Sequence, residues 1–263
     1  MYFLRSARLM TFADRMLLLI RIAQSYKDNK RYALENPRMK FPPYHIIFDA
    51  AASCHFRSYY DSGFPDAAFI VKIIRGYMPD QAISVCEWGC GPARLVQHIR
   101  QLDKGIKRVI GCDYNVETIT WCKKAFPDID FINNELMPPL PLEGNSVDVL
   151  YCVSVFTHLS EEMHHAWIAE IRRLLRPGGL FIGTFHGDKT KSKLFPKELE
   201  KYEDGKLVVR DKVYEGSKNF VAIHSDSFIR RSLLVDFENI VQLEWPSFHQ
   251  EIYCATKPVF PVI

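Results

Sequence analysis

Two glycines that follow a short apolar run form the segment of the chain best suited to bind a ligand. Gly89 and Gly91 come directly after the run that ends at Trp88, and a helix is predicted to begin at Ala93. Glycine lets the backbone turn tightly and lets a ligand lie against it without a Cβ in between. The N–H groups that are free at the start of a helix suit a carboxylate or a phosphate, and Pro92 suits a first helical turn.

The next predicted strand ends in an acidic residue that could act together with this turn. Asp113 is placed to accept hydrogen bonds from two ribose hydroxyls. A glycine turn with such an acid serves NAD, FAD and S-adenosylmethionine equally. A dinucleotide fingerprint has a third glycine where this chain has Arg94, so the sequence disfavours close approach of the helix to a pyrophosphate.

Short apolar strands alternate with helical segments around these residues. Repeated alternation of this kind predicts a parallel sheet with helices on both faces and right-handed crossovers. The predicted strands are Ile83–Glu87, Arg108–Cys112, Asp130–Ile132, Val147–Val153 and Leu180–Phe185, and the predicted helices are Ala93–Leu102, Val116–Phe126 and Ser160–Leu175.

Residues 1–80 are predicted to be mostly helical, with one helix over 9–23 and another over Asp66–Tyr77. Basic residues separate the apolar ones in the first helix, so it either packs on the core or lies on a membrane surface as a basic amphipathic helix. Its apolar run, Met16–Ala23, contains Arg21 and is too short to cross a bilayer. It lacks the cleavage site of a secretory signal.

Residues 187–225 interrupt the alternation with a polar, lysine-rich stretch. Two short apolar segments within it predict a small hairpin, and the residues that follow predict a helix and two final strands. The hairpin arms are Leu207–Val209 and Phe220–Ile223, the helix is Ser227–Leu234, and the strands Glu238–Leu243 and Glu251–Thr256 turn at 245–247.

Composition excludes several classes of protein. The 34 basic and 31 acidic side chains give a net charge of +3, which does not indicate a nucleic-acid partner. The seven cysteines are odd in number and form no CxxC pair, which predicts reduced thiols in a cytoplasmic protein. Cys86 and Cys90 lack a second pair of ligands, so no metal site is predicted. None of these patterns predicts an oligomeric state.

Taken in order, the motifs over about residues 82–186 resemble those of the class I S-adenosylmethionine-dependent methyltransferases. The matching segments are Glu87–Gly91 (first motif), Asp113 (acid of the second strand), Asn133–Leu136 (third-strand loop), Asp148–Leu159 (fourth strand) and Leu174–Leu180 (turn into the fifth strand). The segments Arg57–Gly63 and Phe248–Glu251 are similar to a bacterial subgroup often found near glycosyltransferases.

This resemblance implies an α/β, Rossmann-like, doubly wound sheet of seven strands in the order 3-2-1-4-5-7-6, with the seventh antiparallel. It implies a methyltransferase domain over 81–263, a helical extension over 1–80 that serves as a lid, and an insertion over about 187–225 that caps the acceptor. The cofactor is then S-adenosylmethionine. The implied cofactor-binding residues are Glu87, Gly89, Gly91, Asp113, Asn134, Glu135, Val153, Tyr59, Tyr60 and Gly63.

Two of these positions depart from the pattern of the family. Asn134 stands where an aspartate is usual, and its amide oxygen can still accept a hydrogen bond from the adenine amino group. Glu87 stands where many members have an aspartate. We expect the roles of both positions to be retained.

Three histidines would share the edge of the sheet at which ligands bind in such folds. His158, His186 and His249 are therefore candidate catalytic bases, and His158 is slightly preferred. Each could instead have only a structural role. In-line methyl transfer needs an aligned acceptor and, for a hydroxyl, removal of its proton.

The sequence thus predicts methylation of a small-molecule acceptor, with O-methylation of a sugar or glycan intermediate as the first hypothesis. Methylation of a natural product, lipid or amine is the alternative, and the amphipathic N-terminal helix would suit a lipid-linked acceptor. A non-catalytic S-adenosylmethionine-binding module is a third hypothesis.

Overall fold

In the described part of the chain, four helices precede the first strand. The computed structural model describes residues 10–245 and 248–259. The helices are α1 (Met10–Glu35), α2 (Tyr44–Ala51), α3 (Phe56–Asp61) and α4 (Gly63–Tyr77). The first is longer than predicted because its second half buries polar side chains, which an apolar pattern does not reveal. Asn29 donates to the carbonyl of Cys54 (2.7 Å) and accepts from the N–H of Phe56 (2.8 Å), so it ties α1 to α3. Leu9 and the side chain of Phe12, both used in the prediction, lie outside the described residues.

Seven of the nine described strands form one mixed sheet. The strands are β1 (Ile83–Trp88), β2 (Ile106–Asp113), β3 (Asp130–Asn133), β4 (Val147–Cys152), β5 (Leu175–Phe185), β6 (Val208–Arg210), β7 (Val221–Ile223), β8 (Glu238–Leu243) and β9 (Glu251–Thr256). The order in the sheet is β3-β2-β1-β4-β5-β9-β8, and β6 pairs with β7 in a separate hairpin. Strand β9 is antiparallel to both of its neighbours. With the hairpin set aside, the predicted order 3-2-1-4-5-7-6 is confirmed.

Helices cover both faces of this sheet, which is why its central strands are continuous apolar runs. They are α5 (Val96–Leu102), α6 (Val116–Ala125) and α7 (Glu161–Leu174). Two of them begin at side-chain caps: Asn115 accepts from the N–H of Thr118 (3.0 Å), and Ser160 accepts from the N–H of Met163 (3.4 Å). Their first helical residues therefore lie close to the predicted ones.

The start of α5 was predicted wrongly. The helix begins at Val96 and not at Ala93, because Ala93 has the left-handed backbone conformation (φ 60°) that interrupts a helix. Pro92 therefore lies in an irregular turn and not in a first helical turn. The seven-residue helix is consequently not the source of ligand-binding N–H groups that the sequence suggested.

The insertion after β5 folds back over the carboxyl end of the sheet. It contains a 3₁₀ segment (Asp188–Lys193), α8 (Pro196–Glu203) and the β6–β7 hairpin. After the hairpin comes α9 (Asp226–Phe228), which continues into a π-helical turn (Ile229–Leu233). Of the predicted turn at 245–247, Pro246 and Ser247 lie outside the described residues.

Candidate functional site

The glycine turn is held against the end of β2. The N–H groups of Gly89 and Cys90 both donate to the carbonyl of Cys112, at 2.7 and 2.9 Å. Gly89 has φ +74° and Gly91 has φ +50°, a region that favours glycine. A Cβ on Gly89 would also lie 2.2 Å from Cγ2 of Val155. Both the backbone conformation and the lack of space therefore disfavour any other residue at this position.

Asp113 completes the turn, as its position in the sequence predicted. One carboxylate oxygen accepts from the N–H of Gly91 and the other from the N–H of Asn115, both at 2.9 Å. Burial raises the pKa of Asp113 above its ordinary value, and these backbone N–H groups oppose the shift. Each carboxylate oxygen has a further lone pair, which could accept from a ribose hydroxyl.

One cavity at the carboxyl end of the sheet brings together six of the predicted residues. Trp88 and Trp167 also contribute to its wall, and their rings stack with centroids 4.2 Å apart. The six predicted residues are Gly89, Gly91, Asp113, Asn134, Val153 and His158.

Asn134 supplies the test of whether this cavity fits an adenosyl group. Its side-chain nitrogen donates to the carbonyl of Glu135 (2.7 Å), which fixes the amide orientation. Its oxygen is buried and has no hydrogen-bond partner in the structure. A buried acceptor without a donor is costly, and the amino group of an adenine is a donor of the required kind. The residues present therefore fit S-adenosylmethionine.

Five predicted cofactor residues do not line the cavity: Glu87, Glu135, Tyr59, Tyr60 and Gly63. The side chain of Glu135 is exposed, and only its carbonyl has a role at the site. Tyr60 is buried in the extension, where its hydroxyl donates to the carbonyl of Lys40 (3.1 Å). Gly63 packs on the backbone of Arg94, since a Cβ there would lie 2.5 Å from the Arg94 carbonyl oxygen. Glu87 lies below the turn, where its carboxyl accepts from the hydroxyl of Tyr151 (2.8 Å).

Three side chains of the N-terminal extension, those of Tyr59, Ser62 and Asp66, contact the glycine turn or Arg94 beside it. The Tyr59 hydroxyl lies 4.0 Å from the point where a Cβ on Gly91 would stand. Arg94 donates to the carboxylate of Asp66 (2.5 Å) and to the hydroxyl of Ser62 (3.1 Å). The arginine that replaces a third glycine thus joins the turn to α4.

Residues of the extension and of the insertion line the mouth of the cavity, although the sequence singled out none of them individually. Ala50 of α2 and Gly216 of the insertion line it from opposite sides, and the Tyr114 hydroxyl donates to the carbonyl of Gly216 (3.2 Å). Lys218 lies 3.9 Å from both Asp14 and Asp49, and its ammonium stands 3.4 Å from the centroid of the Phe48 ring. Because these contacts depend on tertiary closure, no local sequence pattern reveals them.

His158 has a defined tautomer. Its Nδ1 lies 2.7 Å from the carbonyl oxygen of Phe220, and because a carbonyl only accepts, Nδ1 carries the proton. In the neutral ring Nε2 is then an acceptor. Burial lowers the pKa of His158, against the effect of this backbone hydrogen bond. A neutral histidine with a free acceptor nitrogen on the cavity wall is suited to take a proton.

His186 and His249 lie beside each other, with ring centroids 5.9 Å apart. The structure therefore brings the β5 end and the β8–β9 turn together, as expected from the strand order. Burial, followed by the charges of His249, His158 and Lys193, lowers the pKa of His186 to about 4. Its Nδ1 is buried without a hydrogen-bond partner. Neither histidine lines the cofactor cavity.

Two further polar clusters near the edge of the sheet were missed. His164 and His224 are fully buried with their Nε2 atoms 2.7 Å apart. Gln250 donates to Ser154 Oγ (2.9 Å) and accepts from Thr184 Oγ1 (2.7 Å). Ser154 has φ 62°, and this network supports that conformation beside the cavity.

We expect replacement of Glu87 by glutamine to change how stability depends on pH. Burial raises the pKa of Glu87 to about 8, above its ordinary 4.5. The folded state therefore binds an extra proton between these values, so this group's contribution to stability is complete below pH 4.5 and is lost as pH rises to 8. The slope is about 1.4 kcal/mol per pH unit.

The check is denaturant unfolding of wild type and Glu87→Gln at pH 5, 6, 7 and 8. Because glutamine does not titrate, the variant should gain stability relative to wild type as pH rises. Glu143→Gln, at an exposed position, is the matched control and should leave the pH profile unchanged. Parallel profiles for wild type and Glu87→Gln would show that Glu87 is ionised in the fold.

The fold and this site together define an α/β domain that binds a nucleoside-containing ligand at the carboxyl end of its sheet. Residues 86–183 match the family model described as "Methyltransferase domain". Over these residues the chain is thus similar to methyltransferase domains, and the relatives that share this similarity include S-adenosylmethionine-dependent enzymes.

Curated relatives match a segment of similar length. A protein of Mycolicibacterium smegmatis, named as an S-adenosylmethionine-dependent methyltransferase, is 35% identical over 98 residues, which cover 37% of this chain and 36% of that protein. The trans-aconitate 2-methyltransferase of Azoarcus sp. is 30% identical over 105 residues, which cover 38% of each chain. The matched region spans little more than a third of these relatives.

Solved structures show the same fold at low sequence identity. An S-adenosylmethionine-dependent methyltransferase from Methanosarcina mazei has a TM-score of 0.52 and 20% identity, covering 72% of this chain and 98% of that one. The S-adenosylmethionine-bound amino pentose methyltransferase of calicheamicin biosynthesis from Micromonospora echinaspora has a TM-score of 0.56 and 16% identity, covering 83% of this chain and 98% of that one.

The described residues contain neither a metal-binding cluster nor a membrane-spanning helix. Among residues 10–245 and 248–259, no three His, Cys, Asp or Glu side chains are grouped so that they could hold a metal ion. No helix in the described part of the chain is both long and apolar enough to cross a bilayer. All seven cysteines are buried free thiols, and the sulfurs of Cys86 and Cys112 lie 3.8 Å apart.

Proposed function

We propose that this chain transfers the methyl group of S-adenosylmethionine to a hydroxyl of a small-molecule acceptor, a sugar or glycan intermediate. One juxtaposition carries the proposal. The unpartnered oxygen of Asn134 and the carboxylate of Asp113 lie in the same cavity as His158, whose Nε2 is an acceptor in the neutral ring. A nucleoside-binding wall and a base are thus within one site.

Each of these residues has a distinct task in such a reaction. The bound cofactor supplies an electrophilic methyl group on a good leaving group. Asp113 accepts from the ribose hydroxyls, Asn134 accepts from the adenine amino group, and Gly89 permits close approach of the backbone. His158 would take the proton of the acceptor hydroxyl at Nε2. The segments at the mouth of the cavity exclude water.

Support for a sugar acceptor comes from two sources. The segments Arg57–Gly63 and Phe248–Glu251 resemble a bacterial subgroup often found near glycosyltransferases, and the fold neighbour from Micromonospora echinaspora is an amino pentose methyltransferase. That neighbour also belongs to natural-product biosynthesis, which keeps a natural-product acceptor as the alternative. The insertion of 187–225 places Gly216 and Lys218 over the cavity, where they could contribute to an acceptor cap.

A lipid-linked acceptor is favoured by one feature of the extension. Helix α1 exposes Met16 (45%), Leu19 (60%) and Ile20 (48%), an apolar group that could rest on a membrane surface. Liposome flotation tests this contact directly. Recovery of the protein only in the lipid-free fraction would exclude it.

The experiment that tests the proposed function has two stages. Calorimetry measures S-adenosylmethionine binding to the purified chain, and incubation with S-adenosylmethionine labelled in its methyl group then follows transfer to the small molecules of a cell extract. Binding with transfer to a hydroxylated compound is the expected result. Binding without transfer would indicate a non-catalytic module, and no binding would contradict the proposal at its root.

We expect alanine at His158 to reduce methyl transfer by about 10²- to 10⁴-fold, the usual contribution of a general base. The base must be neutral, and the pKa of His158 is lowered from its ordinary 6.5. The wild-type rate should therefore stay constant down to pH 6.5 and fall only at lower pH. Affinity for S-adenosylmethionine should change less than threefold. Full activity after separate alanine replacement of His158, His186 and His249 would refute a histidine base.

A further inference from the structure

A group of nitrogen-bearing side chains beside the cofactor cavity has no part in the proposed methyl transfer. It consists of His186, His249, Lys189 and Lys193. The two imidazole rings lie 5.9 Å apart. The ammonium of Lys189 donates to the carbonyls of the two residues that flank His249 in the chain, at 3.3 and 3.4 Å. The charge of Lys193 acts on both histidines. We call these four residues the basic rim.

The cations that act on the two imidazoles of the basic rim are lysines, and the other groups that act on them are histidines. His186 experiences His249, His158 and Lys193, and His249 experiences Lys193 and Lys189. Each of them, together with burial, lowers the pKa of the ring. An anion bound beside these neutral imidazoles would offset the positive charge around them and would favour their protonated form.

The two acids closest to the basic rim, Asp188 and Glu251, already accept hydrogen bonds within the protein. Asp188 accepts a hydrogen bond from the hydroxyl of Tyr202 at 2.9 Å. Glu251 is buried beneath the backbone of Gly187 and accepts from the N–H of Lys189 at 3.4 Å. The charge of Lys189 acts on Glu251 and lowers its pKa, and neither carboxylate is among the groups that act on His186 or His249.

The basic rim adjoins the cofactor cavity through the residues around Ser154 and His158. His158 lines the cavity and its charge acts on His186. Gln250, next to His249 in the chain, donates to the hydroxyl of Ser154 at 2.9 Å, and Ser154 also lines the cavity. A small molecule whose hydroxyl approaches His158 could therefore extend to the basic rim.

We propose that the methyl acceptor carries a carboxylate or a phosphate that binds at the basic rim, between Lys189, Lys193 and the two imidazoles. This inference rests on the proposed function and specifies its substrate class. The buried Nδ1 of His186, which has no partner in the structure, would donate to the anion. The lysines would draw the acceptor in and orient its hydroxyl toward His158.

The test is an NMR titration of the histidine ring protons in the full chain saturated with S-adenosylhomocysteine. The probes are D-glucuronate, glucose 6-phosphate and uncharged glucose, which separate a carboxylate from a phosphate and both from a neutral sugar. At least one anionic probe should bind saturably and raise the pKa of His186 and His249, and glucose should do neither. The double variant Lys189→Gln/Lys193→Gln should weaken anion binding about tenfold.

Three further variants make the result specific. Lys189→Arg keeps the charge and the donor, so it should retain binding within about threefold. Lys193→Gln alone leaves the contacts of Lys189 in place and should weaken binding by itself. Lys123→Gln/Lys124→Gln removes equal charge from exposed positions at the last turn of α6 and should have no effect. Binding of glucose equal to that of both anions, or anion binding unaffected at Lys189 and Lys193, would overturn the inference.

The same protein preparation separates this inference from the proposed function. Calorimetry with S-adenosylmethionine is performed first. Loss of cofactor binding in the wild type contradicts the methyltransferase proposal itself. Normal cofactor binding without a preference for the anionic probes contradicts only the assignment of an anionic acceptor.

Discussion

Replacing Gly89 with alanine is expected to weaken S-adenosylmethionine binding by at least about 100-fold, or roughly 2.7 kcal/mol. The new Cβ would stand 2.2 Å from Cγ2 of Val155, and the backbone there has φ +74°, which L-residues rarely adopt. We expect the free energy of unfolding to fall by about 1–3 kcal/mol as well. Calorimetry and denaturant unfolding measure the two effects separately.

Two variants distinguish these causes. Gly76→Ala makes the same substitution near the end of α4, where no heavy atom lies within 4 Å of the new Cβ, so it should leave cofactor binding unchanged. Val155→Ala in the Gly89→Ala background removes the clashing methyl group but not the backbone strain, so it should recover only part of the affinity. Cofactor affinity of Gly89→Ala within threefold of wild type would mean that the turn does not contact the cofactor.

Asparagine at position 113 is expected to lower S-adenosylmethionine affinity by about 30- to 100-fold, or roughly 2–3 kcal/mol. Both carboxylate oxygens of Asp113 accept from backbone N–H groups, at Gly91 and Asn115. An amide would turn a donor toward one of them and would also remove an acceptor for the ribose. The expected loss therefore combines a disturbed turn with weaker recognition of the ribose.

Asp130→Asn is the matched control for this variant. Asp130 begins β3, is exposed, and pairs with Arg108 at 2.9 Å, so its neutralisation should change cofactor affinity by no more than about twofold. Calorimetry at pH 7.5 compares the two variants, and far-UV circular dichroism verifies that both are folded. Equal affinity of Asp113→Asn and wild type would remove Asp113 from the cofactor site.

The site residues that stand at the ends of strands could be predicted from the sequence. Gly89 and Asn134 each come directly after a strand and Asp113 is the last residue of one, and the carboxyl ends of parallel strands meet at one edge of the sheet. Once the alternation of strands and helices is recognised, local sequence fixes where such residues lie. The strand order followed from the resemblance of the motifs to a known family.

The lid residues could not be predicted in the same way. Tyr59 and Tyr60 are adjacent on α3, and because successive helical side chains point about 100° apart, only one of them faces the glycine turn. The structure directs Tyr59 there and Tyr60 into the extension. A short helix without a clear apolar stripe gives no signal that separates the two.

The residues that were missed altogether depend on contacts between distant parts of the chain. Lys218 lies close to the carboxylates of Asp14 and Asp49, and His224 contacts His164, although the partners are far apart in the sequence. A single charged or aromatic residue has no periodicity that would reveal its partner. Likewise, the left-handed conformation of Ala93 follows from how the turn is held and not from its residue type.

The hydrogen bond from Asn219 to Asp14 (3.1 Å) joins residues 205 positions apart, and it holds in place the segment in which Lys218 lines the cavity. On a ribosome, Asp14 would emerge long before its partner, and so would the glycine turn that the cavity contains. The mouth of the cavity therefore cannot close until nearly five-sixths of the chain has been synthesised. Nascent chains shorter than this could have most of the sheet but would still have an open cofactor site.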